Sequence, residues 1–145
     1  MQTIEQIQEE IIEEFESFSD WMEKYDYIIQ LGKDLPLIDE QWKTDEYLIK
    51  GCQSQVWLHA EHRDGKVFFT ADSDAIITKG LVSLLVSVLS GHEAQKIAEA
   101  NIYFIDSIGL KSHLSPTRSN GFASMLRQMK NYAVAFSAQE KLSSH

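Results

Sequence analysis

The sequence predicts an α+β fold in which a small antiparallel sheet has helices packed on one face. Two helical patterns of apolar residues come first, within residues 4–18 and 21–31. A pair of strand patterns joined by Asp64-Gly65 follows, and further helical patterns occupy the rest of the chain. Because a hairpin with one apolar face must bury that face, we expect the flanking helices to cover it.

The composition is that of a globular protein with a core of its own. The chain has 145 residues, of which 43% are hydrophobic and 24% are charged, so we expect a single domain over residues 1–145. The 22 acidic and 13 basic residues leave a net charge of −9. This charge disfavours a nucleic-acid partner and an anionic membrane partner, since both would require clustered cations.

Three further observations concern the compartment. The first residues carry neither the basic nor the apolar region of a signal peptide, and the longest apolar stretch, residues 80–89, is too short to span a bilayer. The single cysteine excludes an intramolecular disulfide. We therefore expect a soluble, cytoplasmic protein.

Two helices are predicted at the start of the chain. In the first, apolar residues recur at spacings of three and four: Ile4, Ile7, Ile11, Phe15 and Phe18. Thr3 and Gln6 form a capping-box pattern, and Asp20 and Glu23 form a second one at the start of the next helix. Gly32 is placed to end that helix as a left-handed residue.

The middle of the chain predicts strands. Residues 56–61 alternate between apolar and polar side chains, Asp64-Gly65 is typical of a two-residue hairpin turn, and residues 66–70 form the returning strand. A short edge strand over Tyr47 to Lys50 is expected to precede them.

Three helices are predicted after the hairpin. The run Asp72-Ser73-Asp74 offers N-caps for a long apolar helix over residues 75–89, which Gly91 closes. A short helix is expected over residues 92–100. Ser115-Pro116 predicts the N-cap and first position of a last helix ending near Phe136, with residues 137–145 frayed.

Cys52 is the leading candidate for chemistry. It lies in the run Lys50-Gly51-Cys52-Gln53-Ser54-Gln55, at a break between strand patterns, and its neighbours are small or polar. Turns lie on the surface, so the thiol is expected to be accessible. Gly51 permits an unusual backbone angle there, and Lys50 supplies a charge that would favour the thiolate. The alternative is an inert structural cysteine.

Several kinds of cysteine or metal chemistry find little support. Catalysis of acyl transfer needs a general base, but the candidate bases stand at no recognisable spacing: His59, His62, His92 and His113. A thioredoxin-like enzyme would need a second cysteine. His59 and His62 point to opposite faces of a strand, which argues against a shared metal. No glycine spacing matches a phosphate-binding loop.

Arg118 is a second candidate. It falls in the first turn of the predicted last helix, where a cation opposes the helix dipole. An ordinary surface or salt-bridged arginine is the alternative. Gly121 also costs helix stability unless a close approach requires it.

Four blocks of sequence, in the same order, resemble the signatures of the SufE family. They are WMEKYDYIIQLG (residues 21–32), GCQSQVW (51–57), DSDAIITKGL (72–81) and LSPTRSNG (114–121). The resemblance covers most of the chain and implies a SufE/IscU-like fold. A single cysteine could not ligate an iron–sulfur cluster, which favours a carrier over a scaffold.

The resemblance also implies a function. SufE-like proteins accept sulfur from the persulfide of a SufS-type cysteine desulfurase, stimulate that enzyme, and pass the sulfur to an iron–sulfur scaffold complex. By motif position Cys52 is the persulfide acceptor, Asp74 lies near its loop, and Arg118, Lys50, Gly51 and Gln53 support transfer. No cofactor is expected on this chain, because pyridoxal phosphate belongs to the partner desulfurase. A homodimer and an accessory sulfurtransferase-like role, not a stand-alone enzyme, are expected.

Three alternatives stay open, the first of them within the resemblance itself. A CsdE-like protein would carry the same motifs but serve a different desulfurase. A small thiol-dependent redox enzyme would use Cys52 and turn over without a partner protein. An interaction module would have an inert Cys52.

Overall fold

A computed structural model describes residues 2–36, 38–51 and 54–143. Cys52 and Gln53 therefore lie outside the described residues. The helices and strands formed by the described residues are α1 Ile4–Glu16, α2 Trp21–Lys33, β1 Val56–Arg63, β2 Lys66–Ser73, α3 Ile76–Leu89, β3 His92–Glu93, α4 Ala94–Glu99, α5 Phe104–Ser107 and α6 Pro116–Ser143.

The sheet is antiparallel, with its strands in the order β1-β2-β3. Arg63 pairs with Lys66, so Asp64 and Gly65 alone form the hairpin loop. Their φ angles are 53° and 77°, the positive values that a two-residue turn requires to match the strand twist. The predicted hairpin is confirmed at its turn.

One face of the sheet forms part of the core. The inward side chains of β1 and β2 are almost fully buried: Val56, Leu58, Val67, Phe69 and Ala71. Helix α3 contacts β2, and α6 contacts both β1 and β2. The predicted α+β arrangement, with helices on one face of a small antiparallel sheet, is confirmed.

The opposite face of the sheet is covered by two 3-10 turns instead of the predicted edge strand over residues 47–50. The turns are Glu40–Trp42 and Asp45–Tyr47. The Trp42 ring stacks on that of His59 with centroids 3.9 Å apart, and the Tyr47 ring meets His59 edge-on. Within the part of this segment that the structure describes, pairing with β1 amounts to one bridge, between Leu48 and Trp57. These aromatic contacts hold the segment over the outer face of the sheet. A strand paired along the edge of the sheet would not bring Trp42 and Tyr47 onto that face.

The first two helices begin where their caps predict. The Gln6 N–H donates to Thr3 Oγ1 at 3.1 Å, and the Thr3 N–H donates to Gln6 Oε1 at 2.8 Å, which completes a capping box. The Glu23 N–H donates to Asp20 Oδ1 at 2.9 Å. The Glu23 carboxylate accepts a hydrogen bond from the Ser19 N–H, whereas a capping box would have it accept from the N–H of Asp20, the N-cap residue.

Gly32 does not end α2, and that prediction is wrong. The helix continues to Lys33, and Gly32 faces Gly80 of α3. A Cβ on Gly32 would lie 2.8 Å from the Gly80 nitrogen, and a Cβ on Gly80 would lie 2.2 Å from the Ile28 carbonyl oxygen. The two helices thus cross with their backbones in contact, which only glycine allows at these positions.

The predicted capping role of Asp72-Ser73-Asp74 is also wrong. Asp72 and Ser73 belong to β2, and α3 starts at Ile76 after an N-cap residue, Ala75, that provides no side-chain hydrogen bond. Asp72 is 7% exposed. Its carboxylate pairs with Lys43 at 3.1 Å and Lys79 at 3.3 Å. A buried charge needs such partners, so this aspartate ties both lysines to the sheet.

We predict that Asp72 contributes to acid sensitivity. Burial alone would raise the pKa of Asp72, but the Ser73 N–H and the two lysines outweigh it and hold the pKa below its ordinary value of 3.8. Its contribution is therefore complete above that value and is lost as the pH falls through the lower native pKa. Urea unfolding across this range should show a difference in unfolding free energy between wild type and Asp72→Asn that shrinks with falling pH. An equal shrinkage for exposed Asp106→Asn would contradict the assignment.

The second half of the chain differs from prediction in two places. The expected helix over residues 92–100 is split into β3 and α4, because the Gly91 N–H donates to the Val67 carbonyl at 2.7 Å and brings His92 beside β2. Helix α6 continues past Phe136 to Ser143. The rings of His62 and Phe136 stack, and His62 Nε2 lies 2.5 Å from Glu140 Oε1, so this extension is packed on β1.

The predicted start of α6 is confirmed. Pro116 is its first residue, and the Arg118 N–H donates to Ser115 Oγ at 3.2 Å.

Among the described residues, no helix combines the length and apolar character needed to cross a bilayer.

Candidate functional site

A cavity of about 270 Å³ opens between the start of β1, α3 and the first turns of α6. Its apolar lining comes from core residues: Val56, Leu81, Val82, Leu85, Phe122 and Met125. Its polar lining is small and hydroxyl-rich: Ser54, Thr78, Ser115 and Thr117, together with Arg118. The cavity therefore offers an apolar interior with one cation among the described residues that line it.

The chain on each side of residues 52–53 reaches this region. Ser54 lines the cavity. Gly51 has a φ of +94°, and a Cβ on it would lie 2.7 Å from Ser124 Oγ of α6. The positive φ favours glycine at this position, whereas a Cβ there would require only that the Ser124 hydroxyl rotate aside. The candidate acceptor Cys52 and its neighbour Gln53 lie between these two residues, outside the described part of the chain.

Lys50 and Gly51 are exposed at the entrance to this segment. Lys50 forms no ion pair with any residue that the structure describes. Its ammonium group is thus not neutralised within the described chain, which is compatible with the charge role that the sequence suggests for it.

Asp74 holds the chain just after the candidate cysteine. The Gln55 N–H donates to Asp74 Oδ1 at 3.0 Å, and the Asp74 N–H donates to the Gln55 carbonyl at 3.2 Å. Strand β1 begins at the next residue, Val56. Asp74 therefore connects the residues that enter β1 with the residues that leave β2.

We predict that Asp74→Ala loosens this connection without unfolding the protein. It removes the carboxylate acceptor, and a hydrogen bond to a charged group contributes on the order of 1.5 kcal/mol or more, so exchange of the Gln55 amide should accelerate about tenfold. Asp74→Asn keeps an oxygen acceptor and serves as the matched control. Hydrogen exchange followed by NMR measures both variants. Equal acceleration in the two would show that charge, and not the acceptor, matters.

Arg118 lies in the first turn of α6. Its N–H is used in capping, and its exposed side chain lines the cavity. It makes no ion pair with any described residue. The salt-bridged alternative for this arginine is therefore not realised in the described chain. An uncompensated guanidinium at the cavity favours an anionic group there.

The four described histidines have other partners. His59 stacks on Trp42 and His113 on Trp21, with centroids 3.9 and 3.6 Å apart. His62 meets Glu140, and His92 is buried, which lowers its pKa below 6.5. None of the four lines the cavity. No described imidazole is thus placed to act as a general base at this site.

The sequence missed part of the site. The helical spacing of Phe122 and Met125 is typical of core residues, and no local pattern marks Thr78 or Ser124 as site residues. Thr78 and Phe122 are half-buried and face the cavity, while Ser124 contacts Gly51. The helical spacing of Phe122 and Met125 was the available signal, but it cannot distinguish a cavity wall from a filled core.

Fold and cavity together define a small α+β protein with an apolar cavity whose lining includes an arginine and Ser54, a residue close in sequence to the single cysteine. The comparison with protein families agrees with this class. Residues 9–133 match the model of SufE, described as an Fe-S metabolism associated domain. The chain belongs to the SufE family, and hence to the proteins of iron–sulfur metabolism and sulfur transfer.

The curated relatives support the same membership. An uncharacterized SufE-like protein of Rhizobium meliloti is 40% identical over 130 residues, which cover 86% of this chain and 93% of the relative. One from Synechocystis is 38% identical and covers 87% of this chain and 79% of the relative. SufE-like protein 1, chloroplastic/mitochondrial, of Arabidopsis thaliana is 40% identical over 87% of this chain and 34% of its own longer sequence.

A solved structure supports the fold. The solution structure of a hypothetical protein from Thermus thermophilus superposes with a TM-score of 0.74 at 19% identity, covering 89% of this chain and 94% of that one. At this level of identity the likeness concerns architecture alone.

Proposed function

We propose that this chain accepts persulfide sulfur from a SufS-type cysteine desulfurase on Cys52 and delivers it to an iron–sulfur scaffold complex. The family supplies the general role in iron–sulfur metabolism with a desulfurase partner. The more specific assignment to Cys52 is supported by the contacts of the residues that flank it in sequence. Gly51 lies against Ser124 of α6, and the Asp74 carboxylate accepts a hydrogen bond from the Gln55 N–H.

The chemistry requires little from the chain besides a thiolate. The Cys52 thiolate attacks the outer sulfur of the desulfurase persulfide, a new S–S bond forms on Cys52, and the desulfurase cysteine leaves as its thiolate. No net oxidation occurs and no second cysteine is consumed. Pyridoxal phosphate acts on the partner enzyme, where it labilises the C–S bond of free cysteine, and this chain needs no cofactor for the transfer.

Arg118 supports this reaction electrostatically. A guanidinium among the residues lining the cavity favours the thiolate over the thiol and favours a persulfide anion after transfer. Lys50, two residues before Cys52, adds a second cation close to it in sequence.

The experiment that tests the proposal is intact-protein mass spectrometry after mixing the chain with a SufS-type desulfurase and cysteine. We expect addition of one sulfur atom, reversed by a reductant. Chain capped beforehand with iodoacetamide is the control and should gain nothing. If uncapped chain stays unmodified beside active SufS-type and CsdE-partner desulfurases, the carrier function is wrong. Modification by the second enzyme alone would assign the CsdE-like role.

We predict that Arg118→Gln slows persulfide formation about tenfold at neutral pH and moves its pH midpoint up by about one unit, because the thiolate loses its cation. Arg127→Gln, which removes the same charge from an exposed position of the same helix outside the cavity, is the matched control. Rates over a pH series measure both variants. A tenfold loss without a pH shift would contradict the electrostatic role.

The proposal includes a cytoplasmic location and a homodimer. Light scattering during purification tests the second of these, with a mass of about twice 16.6 kDa expected. A monomeric mass would remove the homodimer from the proposal and leave the sulfur transfer intact.

A further inference from the structure

The start of α6 follows a turn that is docked on the first turns of α2. The 3-10 turn Leu110–His113 ends three residues before the helix begins. The His113 ring stacks on the Trp21 ring with centroids 3.6 Å apart, and the Tyr25 hydroxyl donates a hydrogen bond to the His113 carbonyl. Both α2 side chains are half-buried and pack against the core. Helix α2 therefore holds the chain just ahead of α6.

The first turn of α6 gains little stability from its own sequence. The run SPTRSNG is dominated by serine, threonine, asparagine and glycine, which are weak helix formers. The hydroxyl of Ser115 accepts from the Arg118 N–H at 3.2 Å, and its carbonyl accepts from the Ser119 N–H at 3.0 Å. Leu114, which joins Ser115 to His113, is buried. The position of this turn therefore depends on the docked chain that precedes it.

We propose that Tyr25 is a positioning residue for sulfur transfer, because its hydroxyl fixes the turn from which α6 starts and so keeps Arg118 at the cavity. This inference rests on the proposed function, in which the Arg118 guanidinium favours the thiolate. Arg118 lines the cavity, whereas Tyr25 is not among the described residues that line it. Tyr25 therefore acts through the His113 carbonyl and the turn, and not by contact with sulfur.

Amide exchange with water, followed by NMR, tests the structural part of the proposal. Tyr25→Phe keeps the ring and removes only the hydroxyl. We expect the Arg118 and Ser119 amides to exchange about fivefold faster in this variant, because the turn loses one hydrogen bond and opens locally more often. Tyr103→Phe is the matched control, since it removes a hydroxyl that donates to Glu9 at 2.9 Å. It should leave both amides unchanged.

Two results of the exchange experiment would overturn the proposal. Wild-type exchange of both amides in Tyr25→Phe would show that the hydroxyl does not hold the start of α6. An equal acceleration in Tyr103→Phe would show that losing any such hydrogen bond loosens the whole fold, and that the contact with His113 has no special part in it.

The pH dependence of cysteine alkylation by iodoacetamide tests the functional part, without any desulfurase. We expect Tyr25→Phe to raise the pH midpoint by about half a unit, against about one unit for Arg118→Gln, because a displaced cation favours the thiolate less. In the double variant Tyr25→Phe should add nothing, since Arg118 is the group through which it acts. A change in rate without a shift in midpoint would overturn the proposal, and so would additive shifts.

These outcomes separate this inference from the proposed function. A chain that gains no sulfur in the mass experiment, yet shows the expected shifts here, loses the carrier function and keeps the link between Tyr25 and Arg118. A chain that takes up sulfur, while Tyr25→Phe leaves the midpoint unchanged, keeps the carrier function and loses the positioning role. If Arg118→Gln itself leaves the midpoint unchanged, the electrostatic role of Arg118 and the positioning role of Tyr25 both fail.

Discussion

Cys52→Ser is expected to abolish sulfur acceptance by this chain. A serine hydroxyl is not ionised near neutral pH and cannot hold a persulfide, so no other group in the sequence can replace the thiolate. With a SufS-type desulfurase and cysteine, the variant should gain no sulfur, and the desulfurase should fall to the rate it shows alone. Sulfide release over time measures that rate, and intact mass measures the acceptance.

This experiment has two controls: a variant away from the cavity, and a check that Cys52→Ser is folded. Ser112→Ala changes an exposed hydroxyl in the turn before α6, outside the cavity, and should keep wild-type stimulation. The circular dichroism of Cys52→Ser should equal that of the wild type, because the change replaces one sulfur by oxygen. Full stimulation by Cys52→Ser would exclude the carrier role and favour a module that acts by binding alone.

Gly80→Ala is expected to destabilise the protein by about 3 kcal/mol, which lowers the melting temperature by about 10 °C. The added methyl group would lie 2.2 Å from the Ile28 carbonyl oxygen and 2.5 Å from Ile28 Cγ2. Because the first of these atoms belongs to the backbone, α2 and α3 must separate, and the core contacts along both helices weaken. The gain in helix propensity, about 1 kcal/mol, does not offset this loss.

Gly65→Ala provides the comparison for this prediction. Gly65 has a φ of +77° and no atom within 4 Å of its would-be Cβ, so only backbone strain opposes alanine there, at about 1 kcal/mol. Urea unfolding of both variants measures the two costs. A Gly80→Ala variant as stable as Gly65→Ala would show that the two helices have room to spare at their crossing.

The two glycines of this crossing also show the limits of sequence patterns. Gly32 stands four residues before Pro36, after an apolar periodic run, and this spacing is typical of a helix end. The same residue type is required where two backbones touch. Nothing local distinguishes these uses, because the partner, Gly80, is distant in sequence and glycine contributes no side chain to a pattern.

The run Asp72-Ser73-Asp74 failed as a cap for a related reason. These residue types favour N-caps, but Asp72 instead pairs with Lys43 and Lys79 at 3.1 and 3.3 Å. Asp74 binds the Gln55 backbone. Long-range charge pairing and backbone contacts outweighed the local preference, and the helix began without a side-chain cap.

Several elements of this structure are determined by residues that lie close together in sequence. The capping box at Thr3, the turn at Asp64-Gly65, the start of α6 after Ser115 and the α+β class all follow from short spacings and residue types. Cys52 was singled out by its polar neighbours, and its assignment remains a prediction because residues 52–53 lie outside the described chain. Such features depend on neighbours in sequence, which a sequence displays directly.

Only the tertiary structure decided how distant segments meet. It placed the 3-10 turns over the sheet and split the predicted helix at His92. It also held the end of α6 against β1 and brought Ser124 to Gly51. The cavity with Arg118 in its lining arises the same way, from β1, α3 and α6 together. The physical reason is that packing and burial depend on three-dimensional neighbours, whose identities no local pattern contains.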